Sequence, residues 1–160
     1  MLGTHSCKVA RGGICAVRLY EVCGIASVDF DPTMRSFGTP QLLEGYEPWE
    51  VVFAEGGASY TEEATPGGGV VHRLEISQRG LNQDVVATLR RLSVEGVVAL
   101  VECQSGERLL VGYSREAAAD YPLRMEGAKF QSGSQSGEGA TTRLLLCSLD
   151  GWGARPCKGE

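Results

Sequence analysis

Short apolar-rich runs recur along the chain between glycine-rich breaks, and within several of them apolar and polar residues alternate with a period of two. Successive side chains of a strand point to opposite faces, so this is the pattern of half-buried strands in a mainly antiparallel β protein. It predicts strands at about 14–22, 25–30, 49–54, 69–77, 96–103, 107–113, 121–126 and 141–149. Val70, His72, Leu74 and Ile76 share one face of their run, while Arg73, Glu75 and Ser77 take the other. Tyr121, Leu123 and Met125 likewise oppose Pro122, Arg124 and Glu126. "VVALV" at 97–101 is apolar on both faces, which predicts a central strand covered on each side.

A different period marks one helix, "NQDVVATLRRLSVE", residues 82–95. Asn82 suits the N-cap, Asp84 suits the positive end of the helix dipole, and Gly96 is placed to stop the helix. Val85, Val86, Leu89 and Leu92 form an apolar stripe expected to pack on the sheet and cover the central strand, with Gln83, Arg90 and Arg91 facing away. The next segment, "VVALVEC-QSGE-RLLVGY", reads as a hairpin in which Ser105-Gly106 supplies the residue tolerant of positive φ. Gly56-Gly57, Gly67-Gly68-Gly69 and residues 131–139 read as long flexible connections. The expected fold is mainly β (α+β): a single domain over residues 1–160, an antiparallel β-sandwich or barrel with one flanking helix at about 82–95. Residues 1–12 and 151–160 are expected to be flexible, with Trp152 as the tail's packing anchor.

Charge removes some partners from consideration. The balance of 15 basic against 20 acidic residues gives a formal charge of -5, which sets up no general attraction for nucleic acid or an anionic membrane. The densest basic points, Arg90-Arg91 and Arg108, lie beside Glu95 and Glu107 and read as a solvated face. The N-terminal stretch has no apolar core of signal-peptide length, and the longest apolar run, "GVVALV" at 96–101, is far too short to span a bilayer. These features are read as a protein that is cytoplasmic and not secreted, with no membrane or nucleic-acid partner. The cysteines at 7, 15, 23, 103, 147 and 157 read as free thiols; Cys15, Cys103 and Cys147 sit in apolar strand-like runs, where cysteine behaves as a small hydrophobe.

Candidate chemistry is sparse. "GSQSGEG", residues 133–139, resembles a phosphate-cradling loop, but it lacks the lysine of such loops and leads into a strand rather than a helix N-terminus. Gly67–Gly69 also enter a strand, so neither is assigned a nucleotide. His5 with Cys7 is the closest grouping of metal-ligand types and has no second pair at ligand spacing, so no metal or other cofactor is expected. His72 reads as a satisfied core imidazole, and no serine sits in a G-x-S-x-G elbow. The acidic pairs Glu62-Glu63 and Asp29/Asp31 read as loop surface, and no catalytic residue is assigned. Trp49 and Phe53 share a strand face with Val51 and read as core; Tyr46, Phe37 and Trp152 fall in loops, where exposed aromatics could anchor a partner.

The order "VVALVECQSGERLLVGYS", "YPLRMEG", a Ser/Gly-rich loop and "TTRLLLCSLDGWGARP" resembles small structural proteins of the tail region in prophages of Bacteroidetes-type bacteria. The positions that carry the resemblance are Gly106, Val111 and Gly112; Pro122, Leu123 and Met125; Gly133 to Gly139; and Pro156. "SVDFDP" and the glycine loop feeding "VVHRLEIS" fit more loosely, so the resemblance spans residues 14–156. It rests on spacing, without an invariant chemical motif. The six cysteines and the "CKVARGG" leader depart from the pattern. The resemblance implies a non-enzymatic structural or assembly role, held among copies of itself as a homo-oligomer or against neighbouring phage structural proteins. The loop carrying Gly133 and Gly137 would then order against a partner, beside contacts from Tyr46, Phe37 and Trp152. The alternative is a small-ligand-binding or enzymatic β-barrel with its pocket near His72 and Trp49. A nucleic-acid-binding β fold would instead need Arg18, Arg73, Arg90, Arg91, Arg108 and Arg143 gathered on one surface.

Overall fold

The computed structural model describes residues 13–53, 56–79, 86–88, 90, 91, 94–131, 139–150 and 155–157. Two antiparallel sheets dominate them. The first orders five strands as β13 (Arg155–Pro156), β10 (Arg108–Val111), β9 (Val97–Cys103), β1 (Ile14–Glu21) and β6 (Trp49–Glu50). The second orders four as β11 (Arg124–Gln131), β12 (Thr141–Asp150), β8 (Val70–Arg79) and β7 (Ala58–Ala64). Two ribbons complete the set, β2 (Ile25–Ser27) with β5 (Gln41–Leu42) and β3 (Phe30–Asp31) with β4 (Ser36–Phe37).

The sheets pack face to face as a sandwich, and the alternation of each strand decides which side chains meet. Val17 and Leu19 of β1, Val97, Ala99 and Val101 of β9 and Val111 of β10 bury against Ala58, Leu74, Ile76, Leu144 and Leu146 of the opposing sheet. Fully burying a side chain of this size is worth roughly 1.5–3 kcal/mol, so this layer supplies most of the driving force. Ile14 reaches the same layer although its parity is wrong. The register passes from Ile14↔Cys103 to Ala16↔Glu102, so Cys15 is an extra residue, and this bulge turns Ile14 inward and leaves Cys15 exposed.

The five-stranded sheet also has a buried outer face. Tyr20, Val98, Leu100 and Leu110 pack there with Phe37 and Cys157, and with Ile25, Val28, Phe30 and Leu42 from the ribbons. The both-faced apolarity of 97–101 is thus realised in a central strand, with Val98 and Leu100 on the outer side. Its cover, however, is the excursion through residues 22–42 rather than the helix. Residues 86–88, 90 and 91 are helical, and Val86 packs into the inner layer while Arg90 and Arg91 are exposed.

Several boundaries differ from the sequence pattern, each for a local reason. Residues 58–64 form β7, a strand that "ASYTEEA" conceals because Glu62 and Glu63 break its alternation and its partner β8 supplies the burial. The glycines at 67–69 close this hairpin tightly: the Thr65 N–H donates to the Gly69 carbonyl at 2.7 Å, and Gly68 adopts φ 92°. At the other hairpin the expectation holds, with Gly106 at φ 91° between β9 and β10. β11 begins at Arg124 rather than 121, because Leu123 bridges to Val97 through paired backbone bonds of 2.8 and 2.9 Å. Pro122 lies over Gly96, whose φ of 101° and missing side chain make room for it. Pro156, which has no N–H to give, occupies the edge strand β13, and Cys157 is buried.

Candidate interaction surface

The four-stranded sheet ends on both sides in a strand that, among the described residues, pairs on one side only. The bond from the Ser77 N–H to the Gly57 carbonyl, together with the Thr65 to Gly69 bond, fixes which β7 backbone groups face β8. Residues 59, 61 and 63 follow that parity and bond inward, so the N–H and C=O groups of residues 58, 60, 62 and 64 point outward. β7 is exposed over most of its length and carries Glu62 and Glu63 at its edge. β11 is exposed from Glu126 to Gln131 and carries Arg124, Glu126 and Lys129. Phe130 stands 46% exposed at the same edge.

Beside β11 a cavity of about 400 Å³ opens against the helix, lined by Val86, Ala87, Arg90, Ala128, Lys129, Phe130 and Thr142. A second, of about 240 Å³, lies on the five-stranded sheet and is lined in part by Arg18, Glu50, Glu102 and Arg108. A third, of about 330 Å³, is lined by Glu21, Cys23, Arg91, Val94, Glu95 and Gly96. None of these includes His72 or Trp49.

His72 is 1% exposed on the inner face of β8, as the alternation indicates. Its Nδ1 lies 2.6 Å from Tyr60 Oη, and the two rings stack with an interplanar angle of 12°. With the phenol as donor, Nδ1 is the acceptor, and a neutral imidazole then carries its hydrogen on Nε2. Glu62 Oε1 is 3.8 Å from the same nitrogen, beyond hydrogen-bond range. Glu62 and Ser148 flank His72 on the neighbouring strands, which assembles the residue types of an acid, a base and a nucleophile in one row. The serine is committed elsewhere, however, because Ser148 Oγ donates to the Tyr121 carbonyl at 2.7 Å. The row therefore reads as a satisfied polar end to the sandwich. Sequence reasoning placed His72 correctly and missed Tyr60, Glu62 and Ser148, which only the strand register brings to it.

The other predicted contact residues divide. Tyr46 is exposed, and its ring stands against Gly24, where any side chain would collide with it. Its hydroxyl is raised above the usual phenol range by a hydrogen bond with the Cys23 thiol. Phe37 is a correction: it is 1% exposed, with ring centroids 5.2 Å from Phe30 and 5.3 Å from Tyr113. It reads as a loop residue because "SFGTP" is rich in turn formers, yet β4 carries it under the outer face of the five-stranded sheet, so it offers no partner contact. Trp49, in β6 opposite Leu19, packs half-buried against the inner layer. Trp152, Gly133 and Gly137 lie outside the described residues.

Charge is dispersed. Arg18 pairs with Glu50 on one sheet, and Arg73 with Glu63 and Arg143 with Glu75 on the other, at 3.0–3.3 Å. Arg18 and Arg108 flank the outer side of the five-stranded sheet and Arg73 and Arg143 the outer side of the four-stranded one, so these arginines do not form one surface. Among the described residues no group of three metal-ligating side chains occurs, and no helix is long and apolar enough to cross a membrane. Among the described residues, Cys15, Cys23, Cys103, Cys147 and Cys157 form no disulfide. A scan of protein-family models and searches of curated proteins and of solved structures find no match to this chain.

Proposed function

We propose that the chain is a non-enzymatic structural or assembly protein that works by associating with copies of itself or with a neighbouring protein, as a tail-region component of a phage or prophage. The observation that carries this reading is the pair of edges on the four-stranded sheet, strands of 7 and 8 residues that, among the described residues, pair on one side only. Such an edge is a template for another strand: main-chain bonds give affinity and the alternating side chains give selectivity. The phage setting rests on the sequence resemblance alone. Light scattering on the purified protein, alone and with the purified products of its neighbouring genes, tests the reading. A stable homo-oligomer or a defined complex is the expected result; a strict monomer that binds none of those products overturns it.

A further inference from the structure

Strand direction and charge indicate which surfaces meet. Resting on the association reading above, we infer that the partner is a second copy of this chain, joined edge to edge: β7 of one copy pairs antiparallel with β11 of the next, and the four-stranded sheet continues from copy to copy. All neighbours in the order β11-β12-β8-β7 are antiparallel, so β11 and β7 run in opposite directions. A copy placed beside the first by simple lateral displacement therefore brings its β11 antiparallel to β7 without being turned over.

The charges of the two edges are complementary. β7 contributes Glu62 and Glu63 and no basic residue, whereas β11 contributes Arg124 and Lys129 against Glu126. Pairing β7 with itself would bring carboxylates together, and pairing β11 with itself would crowd its cations, each at a cost. Carried across the sheet, the registers set Arg124 level with Cys147, Arg73 and Thr61, so an unshifted neighbour brings its Arg124 opposite Thr61 and diagonal to Glu63, while its Lys129 falls level with Gly57. Glu63, which pairs with Arg73, and Arg124, level with Arg73 through Cys147, stand on the solvent side of the sheet and can approach one another across the joint. The five-stranded sheet offers no comparable joint, since its end strands β13 and β6 have two residues each. An edge joined to a different edge is a heterologous contact, so copies close into a ring or continue as a filament.

The test is a charge exchange followed by sedimentation and light scattering, using Glu63→Lys, Arg124→Glu, their equimolar mixture and the double variant Glu63→Lys/Arg124→Glu. Both side chains are exposed, and matching circular dichroism and melting curves confirm that each variant folds. The wild type is expected to form assemblies larger than a dimer. Each single variant should weaken association at least about tenfold, and the mixture and the double variant should regain it. Wild-type assembly that ignores all these exchanges, or a plain dimer, overturns the edge pairing while leaving association standing. A monomeric wild type that also binds no neighbouring product overturns both, and assigns the edge charges to keeping the strands apart.

Discussion

The two sheets share one core and differ in everything outside it. The five-stranded sheet is buried on its inner face and over the part of its outer face that Phe37, Tyr20 and Cys157 fill, and among the described residues it ends in strands of two residues. The four-stranded sheet turns a solvated face outward, laced by the Arg73–Glu63 and Arg143–Glu75 pairs, and ends in strands of 7 and 8 residues. Burial therefore fixes the first sheet within the fold, while the second has its edges left over for association. The contrast separates residues that hold the molecule from residues that meet something else.

The strongest way to break the contrast is to empty the outer layer. Phe37→Ala should cost about 3–5 kcal/mol and lower the melting temperature by on the order of 10 °C, read by calorimetry. A cost below about 1 kcal/mol would mean that the ribbons only rest on the sheet. Next is the crossing between the sheets: Gly96→Ala forces a side chain into φ 101° and against Pro122, and should destabilise by about 2 kcal/mol or more in denaturant titration. A smaller loss follows Tyr60→Phe, which removes the hydroxyl hydrogen-bonded to His72 Nδ1 at 2.6 Å and should cost about 1–2 kcal/mol. On the outer face of the four-stranded sheet, by contrast, Leu149→Ala should change stability by no more than about 0.5 kcal/mol, since Leu149 is 59% exposed.

Cys147, on that same face, sharpens the contrast chemically. Burial first, then a hydrogen bond and the charge of Glu126, push its thiol up from 9.0 to about 11. The protonated thiol is thus favoured in the folded state: its contribution is present below pH 9 and fades as pH rises through about 11. At mildly alkaline pH, alkylation followed by mass spectrometry should label the exposed Cys15 and Cys23 before Cys147.

Much of this division was legible in the sequence wherever one strand carried its own evidence. "VVALV" announced a strand with two buried faces, the alternation through Val70 to Ile76 put His72 inward, and Ser105-Gly106 marked its hairpin. What was hidden depends on register between distant strands. "ASYTEEA" looks polar until β8 lies beside it, and Tyr60, Glu62 and Ser148 join His72 only through pairings of β7, β8 and β12. Phe37 was misplaced for a related reason, because a turn-rich sequence says where the chain bends and not what surface the bend covers. The open edges, too, are a property of strand order, which no single segment records.

Hydrogen exchange at β7, followed as protein concentration rises, tests the central claim most directly. The amides of Ala58 and Ala64 point out of the sheet and should exchange fast in dilute solution, unlike those of Ser59, Thr61 and Glu63, which bond to β8. If the four-stranded sheet is built to be continued, the outward amides become protected as assembly proceeds, and the inward ones change little. Outward amides that exchange at one rate at every concentration, in a protein that otherwise assembles, would contradict it.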